Sequence, residues 1–472
     1  MKKIILLSVV TATTYCFSMG IALAQNYLPT SVKAALRSAE VSETQLAASV
    51  VPLDGGKLNL NWREDRKIQP ASTEKMITTL AAFEMLGPDW RWKTAFSYTG
   101  DWQNGTLKGT LYVKGGGDPK YVAENLWRDL SRMKSMGIEK ISADVVIDRS
   151  YFEHYAQDPE FQDDWDRPYT AEADAALLNY QSIAMKISPD QQAGLATVTV
   201  SPEVLSLNVP KTVPLAASKR CVRWRQALDL KTEDPWNPKF AGALPSGCEE
   251  KTLAYLVSKP NEYWKVYLET LCKQVGIAWN GRVKSGIVPS DAKPLFEVWS
   301  DDLGTLVKLT NKFSNNVFAR HMFLTLAAKD NPGIPASYAH AREVLDAWLR
   351  YAVKVTPGDI FVDNGSGLTR KSRVTARAMT RLIAYGWRSP RMPEWISSFP
   401  ISGVDGTMNK RAVAQGCAYI KTGLLRDVKS AGGLIQAKSG RRYAFFAAVE
   451  GKKATVSDAP IDRLIEWVYL NG

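Results

Sequence analysis

Apolar and polar positions change their period several times along this chain of 472 residues. Residues 45–51 form a strand-like run, Asp54-Gly55-Gly56 is a tight-turn signal, and 57–62 alternates with period two. This predicts a hairpin over 45–68, closed by Pro70. Residues 72–86 set Met76, Ile77, Leu80 and Phe83 on one helical face and stop at Gly87-Pro88, so a helix is expected there. From about 97 to 290 the texture changes to short alternating segments broken by turn clusters. Strands are expected at 106–114 and 197–207, and a helix at 123–136. Helical periodicity returns over 303–329 and 375–387. The chain closes with strands at 431–436 and 443–449 around Lys438-Ser439-Gly440. Ser457 is then placed to cap a helix carrying Ile461, Leu464, Ile465 and Val468 on one face.

These elements predict an α/β chain of the α+β kind. The strands at 45–62 and 431–449 share an antiparallel, half-buried pattern, and helices cluster near both chain ends. The simplest architecture pairs the terminal strands in one antiparallel sheet flanked by helices, interrupted by a large β-rich insert. The expected division is a leader over 1–24, a first domain segment over 25–96, an insert of one or two units over 97–290, and a second domain segment over 291–472. No internal repeat or low-complexity tract is present.

The leader is read from Met1-Lys2-Lys3, a mostly apolar run over 4–23, and the cleavage signal Ala22-Leu23-Ala24. Cleavage before Gln25 and a periplasmic or secreted location are expected. A retained anchor is the competing reading, opposed by Thr11, Thr13, Thr14 and Ser18 inside the run. No later apolar stretch reaches the roughly 18 residues of a membrane span.

Composition sharpens this picture in four places. Hydrophobic residues at 45% and charged ones at 23% allow a real core and exclude disordered, collagen-like and disulfide-scaffold classes. The net charge of +12 comes without a Lys/Arg run long enough for a nucleic-acid tail. Attraction to an acidic polymer or an anionic membrane surface stays open beside plain solubility. An exported chain meets oxidising conditions, and Cys221, Cys248, Cys272 and Cys417 remain after the leader. Cys221–Cys248 is the most economical pair, leaving Cys272 and Cys417 as a second pair or free. The fourth place is histidine. His154, His321 and His340 are widely separated, so no metal site is expected and a Ser-His-Asp triad lacks raw material. His321 is read as a satisfied helix residue, and the 15 tryptophans as core and interface packing.

If the chain is an enzyme, its base is therefore something other than histidine. Ser72-Thr73-Glu74-Lys75 opens the first strong helix, with Ser72 and Lys75 on one face of one turn. Unpaired N–H groups and the helix dipole favour negative charge there. A lysine whose pKa is lowered by burial or a second cation can take the hydroxyl proton. S-x-x-K recurs at Ser131–Lys134 and Ser290–Lys293, but the first falls inside a helix and the second is followed by Pro294. Ser314-Asn315-Asn316 stands before the helical run 317–329. Lys421-Thr422-Gly423 is the single K-T-G in the chain, after the strand-like 418–420. A glycine there lets a ligand lie close to the strand edge. S-x-x-K, S-x-N and K-T-G in this order form the motif set of penicillin-binding proteins and serine β-lactamases.

The sequence resembles the D-alanyl-D-alanine carboxypeptidase/endopeptidase family of low-molecular-mass penicillin-binding proteins, of the penicillin-binding protein 4 type. The residues that carry the likeness are Pro70–Lys75 with Leu86-Gly87, Gly115–Pro119, Phe313–Asn316, Asp363–Leu368, Gly403–Thr407 and Lys421–Gly423. The gap from Ser72 to Ser314 spans more than half of the chain, too long for a compact β-lactamase. It suits a transpeptidase-like domain split by an insert. The E-x-x-x-N of a deacylating glutamate occurs only at Glu233–Asn237, within the insert and around Pro235.

The resemblance implies roles residue by residue. Ser72 is the nucleophile and Lys75 its base. Ser314 relays protons toward the leaving group, and Asn316 holds the substrate amide or the base. Lys421 keeps Lys75 partly neutral and, with Thr422, draws the terminal carboxylate. The N–H groups of Ser72 and Leu424, beside Gly423, form an oxyanion hole contributing about 3–4 kcal/mol per donor. Peptidoglycan peptides ending in D-Ala-D-Ala are the implied substrates, and β-lactam antibiotics the covalent inhibitors. No cofactor and no nucleic acid are implied; loose membrane-surface association and oligomeric state stay open. A serine β-lactamase or esterase, and a non-catalytic cell-wall-binding protein, are the alternatives.

Overall fold

The computed structural model describes residues 26–154 and 166–472. The leader and its cleavage site lie outside the described residues. Among the described residues, the strands Leu46–Pro52 and Leu60–Trp62 join Ala418–Leu425, Val428–Gln436 and Arg442–Glu450 in one five-stranded sheet. Its pairings are antiparallel, and Val50 opposite Phe445 is where the two chain ends meet. This is the sheet the terminal strands predict.

The strand Arg442–Glu450 is not half-buried, as its pattern suggested. Tyr443, Phe445, Ala447 and Val449 face one core and Ala444, Phe446 and Ala448 face another. Helices Thr30–Ser38 and Ala459–Asn471 cover the first face, contributing Val32, Leu36, Leu464 and Ile465. Helices Lys75–Leu86, Asn316–Asp330 and Ala376–Arg388 cover the second. With both faces dry, a near-continuous apolar strand is what burial demands.

A second core runs from Phe96 to Phe296. It holds a mixed sheet from Lys93–Gln103 to Lys293–Trp299, in which Lys140–Asp148 runs parallel to Thr106–Gly115 across the crossover helix Ala123–Ser135. A further sheet orders Leu244–Pro245, Thr212–Ala216, Leu195–Val200, Ser182–Asp190 and Lys251–Leu256.

Three local expectations need correction. The strand expected over 197–207 ends at Val200, because Pro202 follows and cannot donate to a ladder. The helical pattern over 303–329 is two helices, Leu303–Phe313 and Asn316–Asp330. Ser314 sits at φ 59° between them, and the Asn315 side chain caps the second by accepting from Phe318 N. The last helix starts at Ala459 with Asp458 in the cap position, so Ser457 stands one residue too early, although its hydroxyl still accepts from Ala459 N.

Cys221 and Cys248 form a disulfide across a separation of 27 residues, while Cys272 and Cys417 are free. Closing a loop of that length stabilises the folded chain by about 3–4 kcal/mol. The double variant Cys221→Ser/Cys248→Ser should therefore be cut faster by protease within 216–249, measured by limited proteolysis. Its penicillin labelling should stay at the wild-type level.

Candidate active site

Ser72 lies in the 3-10 turn Ala71–Glu74 that runs straight into the helix Lys75–Leu86. Two hydroxyls pin this turn through one carbonyl: Thr73 Oγ1 and Ser430 Oγ both donate to Pro70 O at 2.6 Å. Ala71, fully buried, is held at φ 48° just before the serine. A non-glycine residue there costs of order 1 kcal/mol or more and survives only where its surroundings dictate it.

Lys75 is fully buried, and its Nζ has three neighbours. Ser72 Oγ is at 2.9 Å, Asn316 Oδ1 at 2.6 Å and the carbonyl oxygen of Ser366 at 2.5 Å. Asn316 Nδ2 donates to Tyr169 O at 3.1 Å, which sets the amide with its oxygen toward Lys75. Both of these oxygens can only accept. A neutral amine has two N–H bonds and one lone pair. Protonated, the amine donates to all three oxygens; once neutral, it can give its two N–H bonds to these acceptors and turn its lone pair to the Ser72 hydroxyl. Burial, the largest cause, together with the Lys421 charge, lowers Lys75 well below an ordinary lysine; Arg320 acts in the same direction and Glu74 opposes it.

Lys421 is also fully buried, in the middle of the strand Ala418–Leu425 rather than beyond its end as expected. Its Nζ donates to Ser314 Oγ at 2.9 Å and to Thr422 O at 2.7 Å. Burial brings it down to about 7. Lys312 clamps Asp405 at 2.6 Å, which holds the 403–407 loop against the end of the helix carrying Ser314. Thr407 and Thr422 then share a hydrogen bond between hydroxyls at 2.8 Å.

Ser72, Ser314, Thr407, Thr422, Gly423 and Leu424 line one cavity of about 450 Å³. A Cβ on Gly423 would stand 2.9 Å from Ser72 N and 2.3 Å from Ser430 Oγ. The strand thus passes directly against the amide of Ser72, and only a glycine fits. Leu424 is 63% exposed at the cavity rim.

The structure brings together Ser72, Lys75, Ser314, Asn316, Lys421, Thr422, Gly423 and Leu424. It leaves the other S-x-x-K copies outside: Ser131 donates to Trp127 O within its helix, and Lys293 lies in a strand of the mixed sheet. His321 is buried away from the cavity with Nδ1 at 2.9 Å from Gly117 O, and burial takes it down to about 4. Three contributors were not singled out from sequence. Ser366, inside the noted Asp363–Leu368 motif, acts through its backbone carbonyl, a role that no side chain announces. Arg320, one turn beyond Asn316, donates to Thr170 O and Ala171 O and so fixes the segment that carries Tyr169 O. Its helical spacing from Asn316 was the readable clue. Thr407 belongs to a motif noted in the sequence without a role. Among the described residues no group of His, Cys, Asp and Glu is arranged to hold a metal ion, and no helix is long and apolar enough to cross a membrane.

A transpeptidase-like sheet, with one serine on a buried lysine and a second serine on another, defines the class as serine hydrolase. The model of the D-Ala-D-Ala carboxypeptidase 3 (S13) family matches residues 28–469, and the chain belongs to that family. It is 26% identical over 394 residues to D-alanyl-D-alanine carboxypeptidase DacB of Haemophilus influenzae, covering 81% of this chain and 80% of that protein. It is 25% identical over 471 residues to a D-alanyl-D-alanine carboxypeptidase of Actinomadura sp., covering 93% of this chain and 82% of the relative. The crystal structure of penicillin binding protein 4 from Haemophilus influenzae superposes with a TM-score of 0.74 at 23% identity, over 90% of this chain and 95% of that one.

Proposed function

We propose that this chain is a serine DD-carboxypeptidase that also cuts cross-linked peptidoglycan peptides, through an acyl-Ser72 intermediate. The observation that carries the reading is Ser72 Oγ at 2.9 Å from the Nζ of a buried lysine whose other two partners, Asn316 Oδ1 and Ser366 O, can only accept. Ser72 Oγ attacks the carbonyl carbon of the penultimate D-Ala as its proton passes to Lys75 Nζ. The C–N bond then breaks, and the departing amine takes a proton by way of Ser314, which hydrogen-bonds Lys421. Water attacks the resulting ester and restores Ser72. Asn316 holds Lys75. Lys421 and Thr422 receive the terminal carboxylate, and Thr422 is oriented by Thr407. Ser72 N and Leu424 N stabilise the oxyanion, on the strand that Gly423 lets approach.

β-Lactams fit the same scheme as slow acylating inhibitors. Export to the periplasm or beyond agrees with the disulfide Cys221–Cys248. The catalytic domain is proposed to comprise 25–96 and 291–472, with 97–290 inserted.

The test is incubation with a pentapeptide ending in D-Ala-D-Ala and with cross-linked muropeptides, following D-Ala release and loss of dimer by chromatography. D-Ala should appear, and prior exposure to a penicillin should abolish its release. Rapid steady-state turnover of penicillin, with no D-Ala released, would instead make the chain a β-lactamase.

A further inference from the structure

Glu74, inside the S-x-x-K motif, has no part in the scheme above, yet it is fully buried. Its Oε1 accepts from Gly367 N at 3.1 Å. Lys75 Nζ donates to Ser366 O at 2.5 Å. These contacts fall on the two ends of one peptide group, the C=O of Ser366 and the N–H of Gly367. Consecutive residues of the motif therefore grip the same amide from opposite sides. A charge on Glu74 draws on the N–H and makes the linked carbonyl a stronger acceptor, since hydrogen bonds in series polarise one another.

We propose that Glu74 is a positioning residue for Lys75, acting through the Ser366–Gly367 peptide group and setting how readily Lys75 carries a proton.

The surroundings of Glu74 make its own charge adjustable. Burial, the largest influence, lifts its carboxyl to about 7, and Asp363 pushes the same way. The nearby Ser372 hydroxyl, the Lys75 charge and the Gly367 N–H oppose that rise. Asp363 is itself engaged by Arg342 at 3.3 Å and by Thr369 Oγ1 at 2.7 Å. Around neutral pH the site thus sits between a protonated Glu74 and an ionised one. Ionised Glu74 raises the affinity of Lys75 for a proton, both through space and through the shared amide, and so lowers the fraction of Lys75 present as free amine. Protonated Glu74 leaves the amine free to accept the Ser72 proton.

The inference rests on Lys75 being the base, so its test needs a readout that does not depend on turnover. Lysines labelled with carbon-13 at Cε are titrated by NMR in the full chain, with the Lys75 signal assigned from Lys75→Arg. Glu74→Gln keeps an acceptor for Gly367 N and cannot ionise. Its Lys75 midpoint should fall by about half a pH unit or more. The acid limb of kcat/KM for D-Ala release should move down by a similar amount, with KM little changed. Glu74→Ala should lose about tenfold in kcat through the unheld amide, and Glu74→Gln should restore that loss. An unchanged Lys75 midpoint in Glu74→Gln overturns the proposal, as does a kcat equally low in both variants. A shifted midpoint in a chain that releases no D-Ala supports the coupling and defeats the assigned activity instead.

Discussion

Ser72→Ala should take up no covalent penicillin label and release no D-Ala, while keeping its fold. The loss is complete because the Oγ is the atom that becomes acylated, and the other cavity hydroxyls have different places in the scheme. Ser314 Oγ is already bonded to Lys421, and Thr422 Oγ1 to Thr407. The fold survives because the one side-chain hydrogen bond of Ser72 is with Lys75. The companion variant Lys75→Met keeps the unbranched stem and removes the amine. It should label about 10²–10⁴-fold more slowly, the range for losing a general base. Gel fluorescence with a labelled penicillin measures both. A labelled Ser72→Ala would move the nucleophile elsewhere. A Lys75→Met chain that labels at the wild-type rate would transfer the base role to the Lys421–Ser314 pair.

Gly367→Ala should damage both stability and acylation, although residue 367 touches no substrate in the scheme above. The position has φ 77°, and an added Cβ would stand 1.9 Å from Ala71 O and 3.0 Å from Ser72 N. The methyl group cannot be accommodated without moving the Ala71–Ser72 peptide. Overpacking costs about 1–3 kcal/mol, and the left-handed backbone about 1–2 more for a residue with a Cβ. A shift of the nucleophile by about 1 Å costs roughly a hundredfold in rate. Gly333→Ala is the control, with φ 91° and nothing within 4 Å of its Cβ. It should lower the melting temperature slightly and leave acylation unchanged. Thermal melts and penicillin acylation rates separate the two effects. If Gly367→Ala acylates like Gly333→Ala, the 363–368 loop does not hold the nucleophile.

Much of this site was legible because its chemistry follows local rules. Ser72 and Lys75 are three residues apart at a helix start, which places them together in any fold. Lys421-Thr422-Gly423 occurs once, and its glycine announces a close approach. The shortage of histidine pointed away from a histidine base, and S-x-x-K supplied the lysine. What stayed hidden shares one physical trait. The Ser366 carbonyl and the Gly367 N–H are backbone groups, present at every residue and silent in the sequence. The break at Ser314 was masked because apolar periodicity continues on both sides of it.

By itself, the sequence determined the motif residues, the pairing of terminal strands and the economical disulfide. Each of these follows from side-chain type, period or proximity along the chain. The tertiary structure alone decided that the strand Arg442–Glu450 is covered on both faces, because an alternating pattern cannot report what packs against its second side. It also decided that Asn316 Oδ1, Ser366 O and Ser72 Oγ converge on the Nζ of Lys75. That outcome depends on three segments, remote from one another in the chain, converging on one nitrogen. Only packing can arrange it, since no local preference records where a distant carbonyl will point.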